Sequence, residues 1–141
     1  MNRGRQIKLA CDKDPQAIGL VGQQKAIPVV KDLFKAEYLR QEDCWLKLRD
    51  GSYLFVEIKT KAKMVYDVKT GFYWTGYNNW QYIKDLSMYN TLKIRTVLFI
   101  QHNDSGRKLW QYIDVLKNKE YKYFQGNNII AWRDIAFEEV V

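Results

Sequence analysis

The sequence predicts an α/β fold in which a central mixed β-sheet is flanked by helices. Apolar side chains recur at helical spacing over residues 16–38 and again over residues 79–89. Other segments alternate or run apolar in the manner of strands, and they fall between and after the two helices. An order of helix, three strands, helix, strand and strand is typical of a sheet covered by helices. The 141 residues predict one domain, with its core over about 16–115 and a C-terminal extension over 116–141.

The composition favours a globular chain with an anionic partner. Hydrophobic residues make up 47% of the chain and charged residues 28%, which excludes a disordered chain. The net charge of +7 favours nucleic acid as the partner, because lysine and arginine neutralise phosphates. Two cysteines without metal-binding spacing indicate a reducing compartment. Since no apolar run approaches the ~20 residues of a membrane span, we expect a cytoplasmic protein with no membrane partner.

The first predicted helix extends from Gln16 to Tyr38. Pro28 lies inside it and lacks an amide donor, so it is predicted to kink this helix or to begin a second one. The apolar positions at helical spacing are Ile18, Val21, Ile27, Val30, Leu33 and Phe34.

A predicted β-hairpin over residues 43–61 organises the candidate site. Its turn contains Asp50 and Gly51, which tolerate the left-handed backbone of a hairpin loop. Centring the turn on Gly51 places Asp43 opposite Lys59 and diagonal to Glu57, on the face away from the apolar side chains. Two carboxylates and an ammonium group would then converge, and oxygen ligands at that spacing suit Mg²⁺. The pairs predicted for the apolar face are Leu48 with Leu54, Leu46 with Val56 and Cys44 with Ile58.

After the hairpin, residues 62–78 are predicted to hold a third strand and then a glycine-flanked loop rich in aromatic residues. The helix over residues 79–89 is predicted to begin at an N-cap of Asn78 or Asn79. The side chains that this helix is expected to bury are Trp80, Ile83 and Leu86, with Tyr82 as a further candidate.

The last predicted elements follow the second helix. The strand over residues 93–101 is apolar on both faces, which predicts a central, buried position in the sheet. A turn at 103–106 leads into a strand over residues 109–115. The tail carries a turn at 126–128 and a short apolar run over 129–132.

The hairpin resembles the active-site motif of the PD-(D/E)XK nuclease superfamily, in which an acid precedes Glu-x-Lys on the next strand. Asp43, Glu57 and Lys59 are the matching residues, and the element order over 16–115 resembles the restriction-endonuclease-like core. The layout is most similar to that of archaeal-type Holliday-junction resolvases. Glu42 stands where the family motif has proline.

This resemblance implies a Mg²⁺-dependent deoxyribonuclease, with Mn²⁺ as an alternative ion. Asp43, Glu57 and the main-chain carbonyl of Ile58 would hold the metal. Lys59 would orient the attacking water or stabilise the charge that develops on the phosphate. Two candidate accessory residues complete the site. They are Gln24, which stands where the family's first helix often carries a glutamate, and Thr60, which follows the lysine.

Two other acid-x-lysine triplets compete with the one at Glu57. Glu57 alone ends an apolar strand with an upstream acid beside it. Asp67 and Lys69 remain an alternative, because residues 62–78 are predicted to hold an adjacent strand. Glu120 and Lys122 lie in a tail without a predicted partner strand, which indicates a solvated surface.

Further residues are candidates for DNA contact. Lys61 and Lys63 continue the face of Lys59 and could bind phosphates, or they could simply protect a solvated strand edge. The aromatic segment could stack on unpaired bases, or it could form core or a dimer interface. Its candidate DNA-binding residues are Tyr73, Trp74 and Tyr77.

The resemblance therefore implies an endonuclease that acts on branched DNA in recombination or repair. Symmetric cutting of a junction requires two sites, so a homodimer is expected. One alternative is a repair, restriction or phage-recombination nuclease that acts on linear or nicked DNA. Another is a nucleic-acid-binding module that keeps the fold without catalysis.

Overall fold

A computed structural model describes residues 15–39 and 44–141 of the chain. The helices within those ranges are α1 (Pro15–Phe34), α2 (Asn79–Leu92) and the single turn α3 (Ile113–Leu116). The strands, in chain order, are β1 (Glu37–Leu39), β2 (Cys44–Lys47), β3 (Tyr53–Lys61), β4 (Val65–Asp67), β5 (Phe72–Asn78), β6 (Arg95–His102), β7 (Lys108–Tyr112), β8 (Tyr121–Phe124), β9 (Ile129–Arg133) and β10 (Glu138–Glu139).

The main sheet is mixed. Its described strands lie in the order β1-β2-β3-β6-β7-β10. β3 and β6 are parallel, whereas the neighbouring pairs are antiparallel. β6 lies between β3 and β7, and it is buried from Thr96 to its end. The predicted α/β class with a central mixed sheet is confirmed, and so is the central position of the strand near residues 93–101.

Helices cover both faces of the main sheet. Successive residues of β6 point to opposite sides of the sheet, so their contacts show which helix covers each face. Val97 and Phe99 pack with Ala26 and Val30 of α1. Leu98 and Ile100 pack on the other side, where the buried partners include Tyr82 of α2 and Leu116 of α3. The side chains of β3 therefore alternate between the α1 side and the α2 side of the sheet.

The first helix continues through Pro28, which therefore does not begin a second helix. It ends four residues before the predicted end, because Lys35 adopts a left-handed backbone with φ of 50°. The amide of Ala36 donates to the carbonyl of Lys31 at 3.0 Å, and this bond closes the helix. The chain then enters β1.

The β2–β3 hairpin has a different register from the predicted one. Leu46 pairs with Leu54 and Cys44 with Val56, a shift of two residues that preserves the face of each side chain. The reason is the position of the loop: Leu48 donates to the carbonyl of Ser52 at 2.8 Å, so the turn centres on Asp50 and not on Gly51. The pairing predicted between Asp43 and Lys59 was based on the register centred on Gly51, which differs from the observed one. Asp43 itself lies outside the described residues.

A second described sheet contains the aromatic segment. Its strand order is β4-β5-β9-β8, and residues 72–78, predicted as a loop, form β5. β5 pairs with β9, with an irregular register between Trp74 and Asn78. Gly76 lies within that irregularity at φ of 75°. The apolar run predicted in the tail is β9, whose Trp132 is fully buried in the core on the α2 side.

Helix α2 begins where predicted, because the Asn78 side chain accepts a hydrogen bond from the amide of Gln81 at 2.7 Å. Its buried face agrees only in part with the prediction. Trp80 and Ile83 are exposed, whereas Leu86 packs against the core and Tyr82, the further candidate, is buried. Asp85 is buried as well, which was not predicted. Tyr82 packs edge-on against Trp132 of β9, and this contact between the helix and the second sheet sets the rotation of the helix.

In the part of the chain that the structure describes, no helix combines the length and the apolar character needed to cross a membrane.

Candidate active site

Glu57 and Lys59 lie on the face of β3 that α2 covers. Their partners across the parallel pair are Leu98 and Ile100, and both partners belong to the core on the α2 side. The Lys59 Nζ lies 3.4 Å from the Glu57 Oε1. The Glu57 side chain is 15% exposed and that of Lys59 29% exposed. Solvent therefore screens this ion pair less than it would a fully exposed pair.

A pocket of about 220 Å³ opens beside Glu57. Trp45 and Phe55 form one wall, and their ring centres lie 4.9 Å apart across β2 and β3. The opposite wall belongs to one side of α2. The lining residues are Trp45, Phe55, Glu57, Gln81, Lys84, Asp85 and Met88.

Asp85 brings a second carboxylate to this pocket, and it is only 2% exposed. The Tyr77 hydroxyl donates to its Oδ2, and Gln81 Nε2 donates to its Oδ1 at 3.4 Å. Burial raises the pKa of Asp85, while these two hydrogen bonds and the charges of Lys84 and Lys59 oppose the rise. Asp85 thus lies within electrostatic range of Lys59.

Tyr77 is electrostatically coupled to both acids. Burial raises the pKa of Tyr77, and the charge of Asp85, its hydrogen bond and the charge of Glu57 raise it further. The phenol therefore remains a neutral donor, which holds the carboxylate of Asp85 in one orientation.

The chemistry of this pocket suits a hard cation and a phosphate. Carboxylate oxygens are the ligands that Mg²⁺ prefers, and ammonium groups bind phosphate oxygens. Over residues 15–39 and 44–141, no three acidic, histidine or cysteine side chains are grouped to hold a metal ion. Glu57 and Asp85 alone are an incomplete ligand set, so a metal would need further oxygens, for which Asp43 is the sequence candidate.

The accessory residues predicted from the sequence lie elsewhere. Thr60 contacts α1 and accepts a hydrogen bond from Gln101 Nε2 at 2.9 Å, on the side of β3 opposite to Glu57. Gln24 is exposed on α1. Ile58, which separates Glu57 and Lys59 in the chain, is partly buried on the α1 side of the sheet.

Lys61 and Lys63 have different surroundings. The Lys61 ammonium donates to the main-chain carbonyl of Trp74 and lies 5.6 Å from the ring centre of Tyr73. Burial lowers the pKa of Lys61. Lys63 is exposed in the bend after β3 and can reach an external phosphate.

The aromatic residues of β5 are largely core. Tyr73 and Tyr77 are fully buried, so their rings offer no surface to a base. Trp74 is partly exposed on the other face of β5, where its ring centre lies 4.4 Å from that of Phe124. Of the alternatives left open by the sequence, burial in the core describes the two tyrosines.

The chain is similar in fold to Hjc, a Holliday junction resolvase from the archaeal hyperthermophile Archaeoglobus fulgidus. The two chains are 8% identical over 84% of this chain and 85% of the other, with a TM-score of 0.49. No protein-family model matches the chain, and no curated protein matches it.

The competing acid-x-lysine triplets both lie at the second sheet. Asp67 is exposed on β4, where it accepts hydrogen bonds from the amide of Lys69 at 3.0 Å and the hydroxyl of Thr70 at 2.8 Å. It therefore stabilises a turn. Glu120 pairs with Arg133 Nε at 2.9 Å. Lys122 lies on β8, which does have a partner strand, β9, contrary to the prediction for this tail.

Asp85, Gln81 and Lys84 are not among the site residues predicted from the sequence. Gln81 and Asp85 are four residues apart, so they share one side of a helix. A polar pair on a helix that follows the Glu-x-Lys strand was the available signal. The predicted rotation of α2 directed attention to Trp80 and Ile83 instead.

Proposed function

We propose that this chain is a metal-dependent DNA endonuclease that hydrolyses phosphodiester bonds at the pocket of Glu57 and Lys59. The observation that carries the proposal is the 3.4 Å contact of the Lys59 ammonium with Glu57, whose side chain lines a pocket together with a second carboxylate, Asp85. A surface charge ladder would be solvated, whereas the Glu57 side chain is mostly buried.

Glu57 would hold a Mg²⁺ or Mn²⁺ ion together with Asp43 and the main-chain carbonyl of Ile58. Cys44, the residue after Asp43, pairs with Val56, the residue before Glu57, and this supports including Asp43. Such an ion, when bound, acidifies a water molecule and neutralises phosphate charge.

Lys59 has the second role. Its ammonium group, held beside Glu57, is available to a phosphate oxygen or to the attacking water. A preorganised positive charge stabilises the transition state more than the ground state, because negative charge builds up only as the bond to phosphorus forms. Lys84 lines the same pocket and adds a second ammonium group.

The substrate class follows from charge. A net charge of +7 favours a polyanion, and the resemblance of the sequence motif to nucleases favours DNA. We propose a structure-selective enzyme of the Holliday-junction resolvase kind. As a resolvase it would act as a two-fold dimer, because two symmetric cuts need two sites.

The test is cleavage of supercoiled, linear, single-stranded and four-way-junction DNA with Mg²⁺, with Mn²⁺ or with EDTA. We expect paired symmetric cuts in the junction that EDTA abolishes. Cutting of linear or nicked DNA would select the repair, restriction or recombination alternative. Binding without any cut in either metal would select the non-catalytic module.

The same assay tests the assigned residues. Glu57→Gln, Lys59→Ala and Asp43→Asn should each lower the cleavage rate by about 100-fold or more. Each change removes a charged side chain that would act on the metal ion, the phosphate or the attacking water. Glu120→Gln and Lys122→Ala are matched controls, since they alter an acid-x-lysine triplet at the start of β8 and should leave the rate unchanged. Near wild-type cleavage by Glu57→Gln would contradict this site.

A further inference from the structure

Helix α2 presents an aromatic side chain to solvent next to the pocket. Trp80 is 69% exposed, although it is a large apolar residue on a helix packed against the core. The next turn of the same side of the helix carries Ile83, which is 58% exposed. These are the residues that helical spacing predicted to be buried, so their exposure calls for an explanation.

A lysine connects this exposed ring to the candidate active site. The Lys84 Nζ lies 5.5 Å from the centre of the Trp80 ring, within the range of a cation–π contact. Lys84 also lines the pocket of Glu57 and Asp85. One lysine therefore contacts the exposed indole ring and also lines the pocket that contains the two carboxylates.

We propose that Trp80 stacks on an unpaired base of the DNA substrate while Lys84 binds the phosphate that enters the pocket. The choice of DNA rests on the proposed function. Aromatic rings that alternate with positive charges are the usual means of binding single-stranded nucleic acid, since every base offers a π face. A base stacked on Trp80 would place its neighbouring backbone within reach of Lys84.

Trp80, Ile83 and Lys84 form an exposed patch on α2. The charge of this patch favours nucleic acid over a second copy of this chain. In a symmetric contact the same patch would meet itself, which would bring two Lys84 ammonium groups together. The apolar part of the patch is small, because Lys84 and the polar Ser87 flank Ile83. A polyanion, by contrast, matches both the lysine and the net charge of +7.

The buried tyrosines of β5 support this assignment. Tyr73 and Tyr77 cannot stack on a base, because both are fully buried. Trp80 follows that strand by two residues and offers the exposed ring that they lack. Selectivity for branched, nicked or single-stranded DNA would then arise at α2, where duplex DNA without unpaired bases leaves the ring uncovered.

The experiment measures binding in EDTA, so that no DNA is cut. The probes are a blunt duplex and the same duplex with a short single-stranded extension that contains 2-aminopurine. Trp80→Ala should weaken binding of the extended duplex about tenfold, a change that lies within the usual range for the loss of stacking on one base. It should change the affinity for the blunt duplex less than about twofold. The wild-type protein should quench the 2-aminopurine fluorescence, and Trp80→Ala should not.

Two further variants separate stacking from other effects. Trp80→Phe keeps a stacking ring and should retain most of the affinity and the quenching. Ile83→Ala removes exposed apolar surface from the same helix and should alter neither. Lys84→Ala should weaken binding of both probes equally and reduce the salt dependence.

The outcomes distinguish this inference from the proposed function. Unchanged binding and quenching in Trp80→Ala, with cleavage that still depends on Glu57, would overturn the inference and leave the nuclease proposal standing. Trp80-dependent quenching in a protein that never cuts DNA would support stacking and refute the nuclease. Conversion of a dimer to a monomer by Trp80→Ala in sedimentation, with DNA affinity unchanged, would assign the patch to a second copy and overturn the inference.

Discussion

His102, the only histidine of the sequence, is a buried residue that links the free energy of unfolding to pH. Its Nδ1 must donate to the Arg107 carbonyl at 3.0 Å, because a carbonyl can only accept. The Nε2 then accepts from the Tyr73 hydroxyl at 2.6 Å. This arrangement fixes one neutral tautomer. Burial lowers the pKa of His102, and the nearby charge of Lys61 lowers it further, while the bond to Arg107 opposes the shift.

The first prediction concerns the free energy of unfolding. Because the folded state resists protonation of His102, the unfolded state binds more protons once the pH falls below the ordinary pKa of about 6.5. The contribution of His102 to the free energy of unfolding should therefore be constant above that pH and should decline below it, down to the lowered pKa of the folded state. Urea unfolding between about pH 7.5 and pH 5.5 measures the decline.

Nuclear magnetic resonance of the single imidazole supplies the direct measurement. The titration midpoint in the folded protein should lie below the ordinary value. In His102→Asn the decline in stability over this pH range should disappear. A midpoint at or above the ordinary value would contradict the assigned tautomer and its burial.

At the same scale, the sequence could predict one part of the site and not the other. Glu57 and Lys59 are two residues apart in a strand, so alternation alone places them on one face. Asp85 could not be found this way, because an aspartate in a helix normally faces water. Its burial depends on the Tyr77 hydroxyl, which comes from another element, and no local pattern contains that hydrogen bond.

At the scale of elements, α1 approaches β3 closely at Gly22. A Cβ atom at this position would lie 2.0 Å from the Thr60 Oγ1 and 2.6 Å from its Cβ. The Gly22 carbonyl also accepts a hydrogen bond from Gln101 Nε2 at 2.6 Å. The absence of a side chain thus allows the helix to lie against the strand that carries Glu57 and Lys59.

The second prediction follows from this contact. Gly22→Ala should destabilise the protein by about 1–3 kcal/mol, the usual cost of adding a group to a packed interface. Gly19→Ala is the matched control, because nothing lies within 4 Å of a Cβ there. That change should stabilise α1 by up to about 1 kcal/mol through helix propensity. Urea unfolding measures both changes.

Thr60→Ala provides a rescue for this prediction. It removes the Oγ1 and Cγ2 atoms that a Cβ at residue 22 would strike, while the Thr60 Cβ remains in place. The double variant should therefore recover only part of the stability that Gly22→Ala loses. Equal effects of alanine at residues 19 and 22 would show that the helix is not held against β3.

Elements also show where local patterns fail. The hairpin register depends on whether the loop centres on Asp50 or on Gly51, and both fit a turn that contains these two residues. The rotation of α2 is decided by the packing of Tyr82 on Trp132, a residue fifty positions later. Spacing identified the helix and its N-cap, but its buried face is a property of the tertiary contact.

At the scale of the whole molecule, the C-terminal segment builds both sheets. β10 extends the main sheet beside β7, and β8 and β9 complete the second sheet beside β5. Ile130, Trp132 and Phe137 lie in the same core as Leu98 and Ile100 of the central strand. The sequence indicated this segment only as an extension, because the strands it pairs with lie far away in the chain.

The third prediction tests, with two truncations, how far the stability of the fold depends on the C-terminal segment. Removal of residues 117–141 deletes three large buried side chains, and each such loss typically costs about 2–5 kcal/mol. Their sum reaches the 5–15 kcal/mol that stabilises a typical domain, so the shortened chain should show no cooperative unfolding. Removal of residues 138–141 deletes β10 and the exposed ion pair of Glu139 with Arg107, and it should leave a folded protein of lower stability. Circular dichroism during thermal unfolding measures both.

A cooperative transition in the longer truncation would contradict this prediction. It would mean that the remaining residues fold without Trp132, although Tyr73 and Tyr82 lie in the same buried cluster as that side chain.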